Sequence, residues 1–161
     1  FEFIELLNVG EKTMYIGDVT LAGGIEFPLS ESAVQALEPG GRVVFASDVE
    51  AFALRYGTEG IALGGEFVGR LANGGERIAL LRGEEVIQDF SYNDRAPWPE
   101  IPDAYGHSLA LGDPQPGIDL SNPLQWTADT AIGGSPGSAG NVVPPVWVNE
   151  ILANSGLEAP D

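Results

Sequence analysis

Short hydrophobic runs recur along this chain, and their alternating pattern is typical of β-strands. The first run, residues 1–8 (FEFIELLN), carries apolar side chains on both of its faces, which predicts a strand that is covered on both sides. Further strands are predicted within residues 18–29, 37–47, 70–83, 86–99 and 107–111, and a closing strand begins at Trp126. The pattern therefore predicts an all-β fold.

Glycine-containing turns precede two of these strands, and a short helix lies between them. The turns are PGG at residues 39–41 and NGG at residues 73–75, where glycine or asparagine adopts positive φ at little cost. Ser47 followed by Glu50 matches a helix capping box, in which the hydroxyl accepts from a free amide and the glutamate reaches back. This pattern predicts about two turns of helix that end near Gly57.

The last hydrophobic run, residues 146–153 (VWVNEILA), also reads as a strand. One face would carry Val146, Val148, Glu150 and Leu152, and the other would carry Trp147, Asn149, Ile151 and Ala153. Such a strand would leave apolar side chains and unpaired backbone groups in water if it had no neighbour. We therefore expect it to pair with the edge of a sheet.

These terminal runs contain two short motifs, FIEL at residues 3–6 and NEI at residues 149–151. The motifs resemble the opening strands of a bacterial lamin-tail domain, but they occur in inverted order. LEPGGRVVFA at residues 37–46 and LANGGERIALL at residues 71–81 resemble later segments of that family, in the family's order. The resemblance covers residues 1–141. It implies an immunoglobulin-like β-sandwich with one short helix that lacks its first strand.

Residues 142–161 would then be a linker and a strand that either completes this domain or begins a following repeat. The resemblance implies that the two motifs pair in antiparallel orientation. The residues of this pairing are Phe3, Ile4, Glu5 and Leu6 in the first run and Val148, Asn149, Glu150 and Ile151 in the C-terminal run. Residues 137–145 extend to roughly 30 Å, enough to return the strand to its own domain. Alternatively, the strand completes a neighbouring copy and gives swapped dimers or open chains. The intramolecular route is favoured because closure within one chain has a high effective concentration.

Composition is compatible with a single compact domain. The 22 glycines and 12 prolines among 161 residues suit short strands joined by tight turns, and the hydrophobic content of 43% is ample for a packed core. The chain has no cysteine, which excludes disulfides and thiolate chemistry. No run approaches the roughly 20 apolar residues that span a bilayer.

The formal net charge of −17 argues against two classes of partner. Nucleic acids and anionic membrane surfaces bind basic patches, so neither is expected to bind this chain. The charge indicates solubility in a saline or extracellular medium, with calcium binding or a cationic partner as the alternative. Bacterial lamin-tail domains usually occur in large secreted or surface proteins, so the resemblance implies an extracellular or cell-surface location, although no signal peptide is visible.

Catalytic motifs are poorly matched. GHSLA at residues 106–110 resembles the nucleophile elbow of serine hydrolases, but the only histidine, His107, is adjacent to Ser108, and in a strand the two side chains would point to opposite faces. One histidine is also too few for the common catalytic zinc sites, and no glycine run has the phosphate-loop pattern. With 24 acidic residues, a carboxylate-dependent hydrolase stays the third alternative.

Two kinds of ligand site remain as alternatives to a non-catalytic interaction or spacer module. Acidic loops offer calcium candidates, and no other cofactor is predicted; the candidates are Asp94, Asp103, Asp113 and Asp119. The favoured reading of these Asp-containing loops is that they form turns, because carboxylates bond to their own backbone. A glycan could stack on exposed indole rings; we expect Trp98 to be exposed and Trp126 to be mostly buried.

Overall fold

The computed structural model describes residues 2–99 and 106–140. Its strands in this part of the chain are β1 Phe3–Leu7, β2 Met14–Tyr15, β3 Thr20–Gly23, β4 Ile25–Pro28, β5 Ala36–Leu37, β6 Arg42–Ala46, β7 Leu63–Glu66, β8 Val68–Gly69, β9 Arg77–Arg82, β10 Glu85–Ser91, β11 His107–Leu111 and β12 Trp126–Ile132. One α-helix, α1, spans Val49–Tyr56, and short 3-10 turns lie at Leu29–Glu31 and Pro123–Gln125. The single short helix is confirmed, and so are the strands predicted in residues 1–8, 37–47, 70–83 and 107–111 and the closing strand at Trp126. The run 18–29 forms two strands, β3 and β4, and the strand predicted within residues 86–99 ends at Ser91. The strand predicted at residues 146–153 lies outside the described residues.

Within the described ranges, the strands form two larger sheets and two small ones. The three-stranded sheet has the order β1-β6-β7, and the five-stranded sheet has the order β10-β9-β3-β4-β8. β11 pairs with β12, and β2 pairs with β5. The β6–β7 pair is parallel, and β1 pairs with β6 in antiparallel orientation. This arrangement confirms the predicted all-β sandwich.

The main core lies between the two larger sheets. It contains apolar side chains from both sheets and the loops that join them: Ile16, Val19, Leu21, Ile25, Phe27, Leu29, Leu37, Val43, Phe45, Phe67 and Ile78. Phe27 of β4 and Phe45 of β6 meet across the sandwich with ring centroids 5.0 Å apart. Facing sheets that interdigitate in this way form the ordinary core of a β-sandwich.

A second cluster covers the opposite face of the three-stranded sheet. Phe52 of α1 is fully buried against Val44 and Ala46 of β6. Phe3 of β1 makes an edge contact with Phe52 at a centroid distance of 5.8 Å. β6 is therefore buried on both faces, which explains why its residues are apolar without alternation.

The helix begins one residue later than the capping box predicted. Asp48 is the N-cap, and its carboxylate accepts from the backbone N–H of Ala51 at 2.8 Å. The Ser47 hydroxyl instead accepts from the backbone N–H of Glu2 at 2.8 Å, which ties the residue before the helix to the start of β1. The predicted end is confirmed, since Gly57 is the C-cap with φ 72°.

Candidate strand-acceptor site

Hydrogen bonds at both ends of β1 identify which of its backbone groups face β6. The N–H of Asn8 donates to the carbonyl of Gly41, and the N–H of Ser47 donates to the carbonyl of Glu2, each at 2.9 Å. In an antiparallel pair, the residues that exchange such bonds alternate with residues whose backbone groups point away. The even-numbered residues of β1 therefore bond to β6.

The other edge of β1 presents the N–H and C=O groups of Phe3, Glu5 and Leu7. In the described part of the chain β1 pairs with β6 and with no second strand. All five residues of β1 are half-buried. An unpaired edge of this kind is a template for the addition of another strand.

A second free edge lies on β11. The N–H of Gly112 donates to the carbonyl of Gln125 at 2.9 Å, and Ala110 lies opposite Thr127 two residues further along the ladder. The alternation of antiparallel bonding then directs the backbone groups of Leu109 and Leu111 away from β12. Within residues 2–99 and 106–140, β11 has β12 as its one paired strand.

One cavity of about 1220 Å³ joins these two edges. It is lined by every residue from 2 to 10 and by every residue from 106 to 111. Successive side chains of a strand point to opposite faces, so a cavity that touches all of them runs along the backbone edge. Its volume exceeds the ~300–1,000 Å³ of ordinary small-molecule pockets.

The lining of the same cavity borders on the main core at Leu21, Leu29 and Ile78. Leu21 and Leu29 are 0% exposed, so the core is closed to water at these two residues. This closure is typical of protein interiors, which are close-packed and contain few voids larger than a water molecule.

Residues 133–138 cross from β12 to β1 at the end of the cavity where both edge strands begin. Gly134 has φ 82°, and a Cβ atom there would lie 2.5 Å from the Oγ of Ser108 and 3.2 Å from the ring of Phe3. Gly134 therefore lies close to Ser108 of β11 and to Phe3 of β1.

Glu5 fastens this crossing segment to β1. Its Oε2 accepts from the N–H of Gly137 at 2.5 Å, and its Oε1 lies 3.2 Å from Nε of Arg42. Burial raises the pKa of the Glu5 carboxyl, and the Gly137 and Arg42 contacts oppose that rise in part. Glu5, the acidic residue of the FIEL motif, therefore makes its polar contacts within the domain.

The calcium candidates are not gathered into one site. Asp94 lies 3.9 Å from Arg95, the Asp113 carboxylate accepts from Gln115, and the Asp119 carboxylate accepts from the N–H of Ser121. Asp103 lies outside the described residues, as do Val148, Asn149, Glu150 and Ile151. Among the described residues, no group of three or more acidic, histidine or cysteine side chains could hold a metal ion. The Asp119 bond has the form of the turn that we favoured over calcium binding.

The environment of His107 differs from that of a catalytic histidine. Its Nδ1 lies 2.8 Å from the backbone carbonyl oxygen of Asp129, whereas a triad histidine contacts a carboxylate. The carboxylate of Asp129 is buried and accepts from the Ser135 hydroxyl and from the N–H of Ala131. Sequence reasoning missed Asp129; the signal was an acidic residue inside the apolar run WTADTAI.

The indole rings are arranged differently from the prediction. Trp126 stacks on Phe90 at a centroid distance of 5.5 Å and contacts Trp98 at 6.1 Å. Its Nε1 donates to the carbonyl of Leu120 at 2.9 Å. Trp98 and Trp126 are both partly buried, so the expected exposure of Trp98 is wrong, whereas Trp126 is largely buried as expected.

No known protein family, curated protein or solved structure matches the chain. The lamin-tail resemblance therefore stays a prediction that rests on its sequence motifs. In the described part of the chain, no helix is both long and apolar enough to cross a membrane.

Proposed function

We propose that this domain is a non-catalytic interaction or spacer module of a larger secreted or surface-associated bacterial protein. In this proposal it associates with protein segments, or with itself, by adding a strand to β1. The observation that carries the proposal is the row of backbone groups at Phe3, Glu5 and Leu7 beside the cavity, which pair with no strand among residues 2–99 and 106–140. The motifs at residues 3–6 and 149–151 support the same pairing from the sequence side.

The chemistry of the site suits a polypeptide strand. Strand addition gives affinity through main-chain hydrogen bonds, and pockets for alternate side chains add specificity. A net charge of −17 disfavours nucleic acid and anionic lipid as partners, because neither attracts an acidic surface. The proposed partner is therefore a protein segment with alternating apolar residues.

Truncation after Asn141 tests this function. We expect the shortened domain to lose several degrees in Tm or to aggregate, because the β1 edge and the cavity would be left open to water. Light scattering at several concentrations shows whether the intact chain is monomeric or associates. A truncated chain that is monomeric and as stable as the intact one would contradict strand addition by residues 142–161.

A further inference from the structure

We propose that the turn at Asn73 and Gly74 is a site of spontaneous covalent modification, in which water converts the Asn73 amide to aspartate and isoaspartate with release of ammonia. The reaction needs an accessible asparagine side chain and a following backbone nitrogen that can reach it. Asn73 is the asparagine of this chain that precedes a glycine, and the other six precede bulkier residues.

Asn73 and Gly74 lie at the tip of the turn before β9, and both are exposed. Among the residues that the structure describes, no hydrogen bond engages the Asn73 side chain or the N–H of Gly74. The turn is closed instead by the N–H of Gly75, which donates to the carbonyl of Ala72 at 3.2 Å. Both reacting groups are therefore free to approach each other without loss of this bond.

Gly74 meets the requirement for an unhindered nitrogen. A Cβ on the following residue crowds the approach of its backbone nitrogen to the asparagine side chain, and glycine has none. The space around Gly74 is open, because the nearest atom to an added Cβ would be Oδ2 of Asp94 at 3.9 Å. The φ of Gly74 is not positive, unlike that of Gly75 at 117°. Alanine therefore fits at position 74, and Gly74→Ala slows the reaction without straining the turn.

The conversion is a hydrolysis in which nothing is oxidised or reduced. The Gly74 nitrogen attacks Cγ of Asn73, the Cγ–Nδ2 bond breaks, and Nδ2 leaves as ammonia together with the proton of the Gly74 amide. Water then opens the resulting cyclic imide at either carbonyl carbon. Opening at Cγ restores the normal backbone with an aspartate side chain, and opening at the backbone carbonyl leaves Gly74 joined to Cγ as isoaspartate. Both products carry one more negative charge than the asparagine.

The other described asparagines each lack part of this arrangement. Asn8 is buried, and its Nδ2 donates to two backbone carbonyls. Asn122 precedes Pro123, which has no backbone N–H. The Oδ1 of Asn93 accepts from the N–H of Arg95 at 2.9 Å, and the residue after Asn93 carries a Cβ. These three asparagines are internal controls.

Peptide mapping of the full chain tests the site. The folded protein is incubated at neutral pH below its Tm and then digested at acidic pH, which suppresses conversion during digestion. The peptide that contains Asn73 should gain the mass difference between an amide and an acid, and an isoaspartyl methyltransferase should label it. The peptides that contain Asn8, Asn93 and Asn122 should stay unchanged over the same time. Gly74→Ala should lower the rate at Asn73 at least about tenfold.

Three results would overturn the site. Conversion of Asn73 only in urea, where the chain is unfolded, would show that the folded turn holds the reacting groups apart. An equal rate in Gly74→Ala would show that the backbone nitrogen of residue 74 is not the attacking atom. A product that contains aspartate without isoaspartate would mean that water attacks the side chain directly, with no cyclic imide.

Isoaspartate should also loosen the turn, because it adds one carbon to the backbone between Ala72 and Gly75. Neither end of the turn can shift easily. The Ala72 carbonyl also accepts from the Tyr92 hydroxyl at 2.8 Å, and the Gly75 backbone packs so closely that an added Cβ would lie 2.5 Å from the carbonyl oxygen of Tyr92. The bond from Gly75 to Ala72 should therefore be lost in the isoaspartyl form.

Thermal denaturation of the separated forms measures this loss. The isoaspartyl form should melt about 2–4 °C below the unmodified chain, as expected for one lost backbone hydrogen bond. Asn73→Asp is the matched control, because it adds the same charge to a normal backbone, and its Tm should differ by about 1 °C or less. Equal Tm values for the isoaspartyl form and Asn73→Asp would overturn the loosening of the turn.

Discussion

β6 and β1 lie side by side in one sheet, have the same length and are rich in apolar residues, but they are buried to different degrees. Val43, Val44, Phe45 and Ala46 of β6 are at most 1% exposed, whereas all five residues of β1 are half-buried. β6 has β1 on one side and β7 on the other, while β1 is paired on one side within the described residues. The difference shows that the burial of a strand depends on its neighbours as well as on its own side chains.

Alanine substitution of one phenylalanine in each strand measures this difference directly. Phe45→Ala should lower the free energy of unfolding by about 3–5 kcal/mol, because Phe45 is fully buried against Phe27. Phe3→Ala should cost about 1–2 kcal/mol, because Phe3 is half-buried. Urea denaturation of both variants gives the two values. Equal losses would show that β1 is packed as tightly as β6 in the intact chain.

A glycine pair tests the junction at which β1 and β11 begin. Gly134→Ala should cost about 1–2 kcal/mol from the left-handed backbone and about 1–3 kcal/mol more from the collision with Ser108. Gly117→Ala is the matched control, since Gly117 has φ 80° and no atom within 4 Å of the added Cβ. Thermal denaturation should therefore separate the two variants. Similar losses would indicate that the junction is loosely packed.

The Glu5 carboxyl should give β1 a pH dependence that β6 lacks. Burial raises its pKa in the folded protein above the ordinary value of 4.5, so its favourable contribution is full below pH 4.5 and is lost as the pH rises through the folded-state pKa. In Glu5→Gln the amide oxygen can still accept from Gly137, but the titration is removed. The wild type should therefore gain stability relative to the variant on acidification, by less than about 1 kcal/mol. Urea titrations across this window measure the difference, and a gain with rising pH would contradict the assignment.

The smallest expected effect is that of calcium. Millimolar calcium should change Tm by no more than about 1 °C, because a ligand stabilises only in proportion to its binding to the folded state. Magnesium at the same concentration is the control. A rise of many degrees with calcium alone would instead support a cation site among Asp94, Asp103, Asp113 and Asp119.

Features that depend on neighbours in sequence were predictable, and features that depend on distant residues were less so. The strand β6 and the turn before it follow from RVVFA and PGG, and Gly40 has the expected positive φ. Ser47 and Asp48 both fit the local rule for a helix cap. The Ser47 hydroxyl accepts instead from the backbone N–H of Glu2, 45 residues away, and Asp48 caps the helix. The burial of the tryptophans likewise depends on contacts between separate strands and loops.

The sequence by itself determined that this protein is built from short strands, because alternation and turn residues act over only a few positions. It also marked residues 1–8 and 146–153 as apolar strands that need partners. Only the tertiary structure decided which strand edges are free among the described residues. The bonds from Asn8 to Gly41 and from Gly112 to Gln125 orient β1 and β11, and the bond from Gly137 to Glu5 joins residues 132 positions apart. Such long-range pairing leaves no trace in a local pattern.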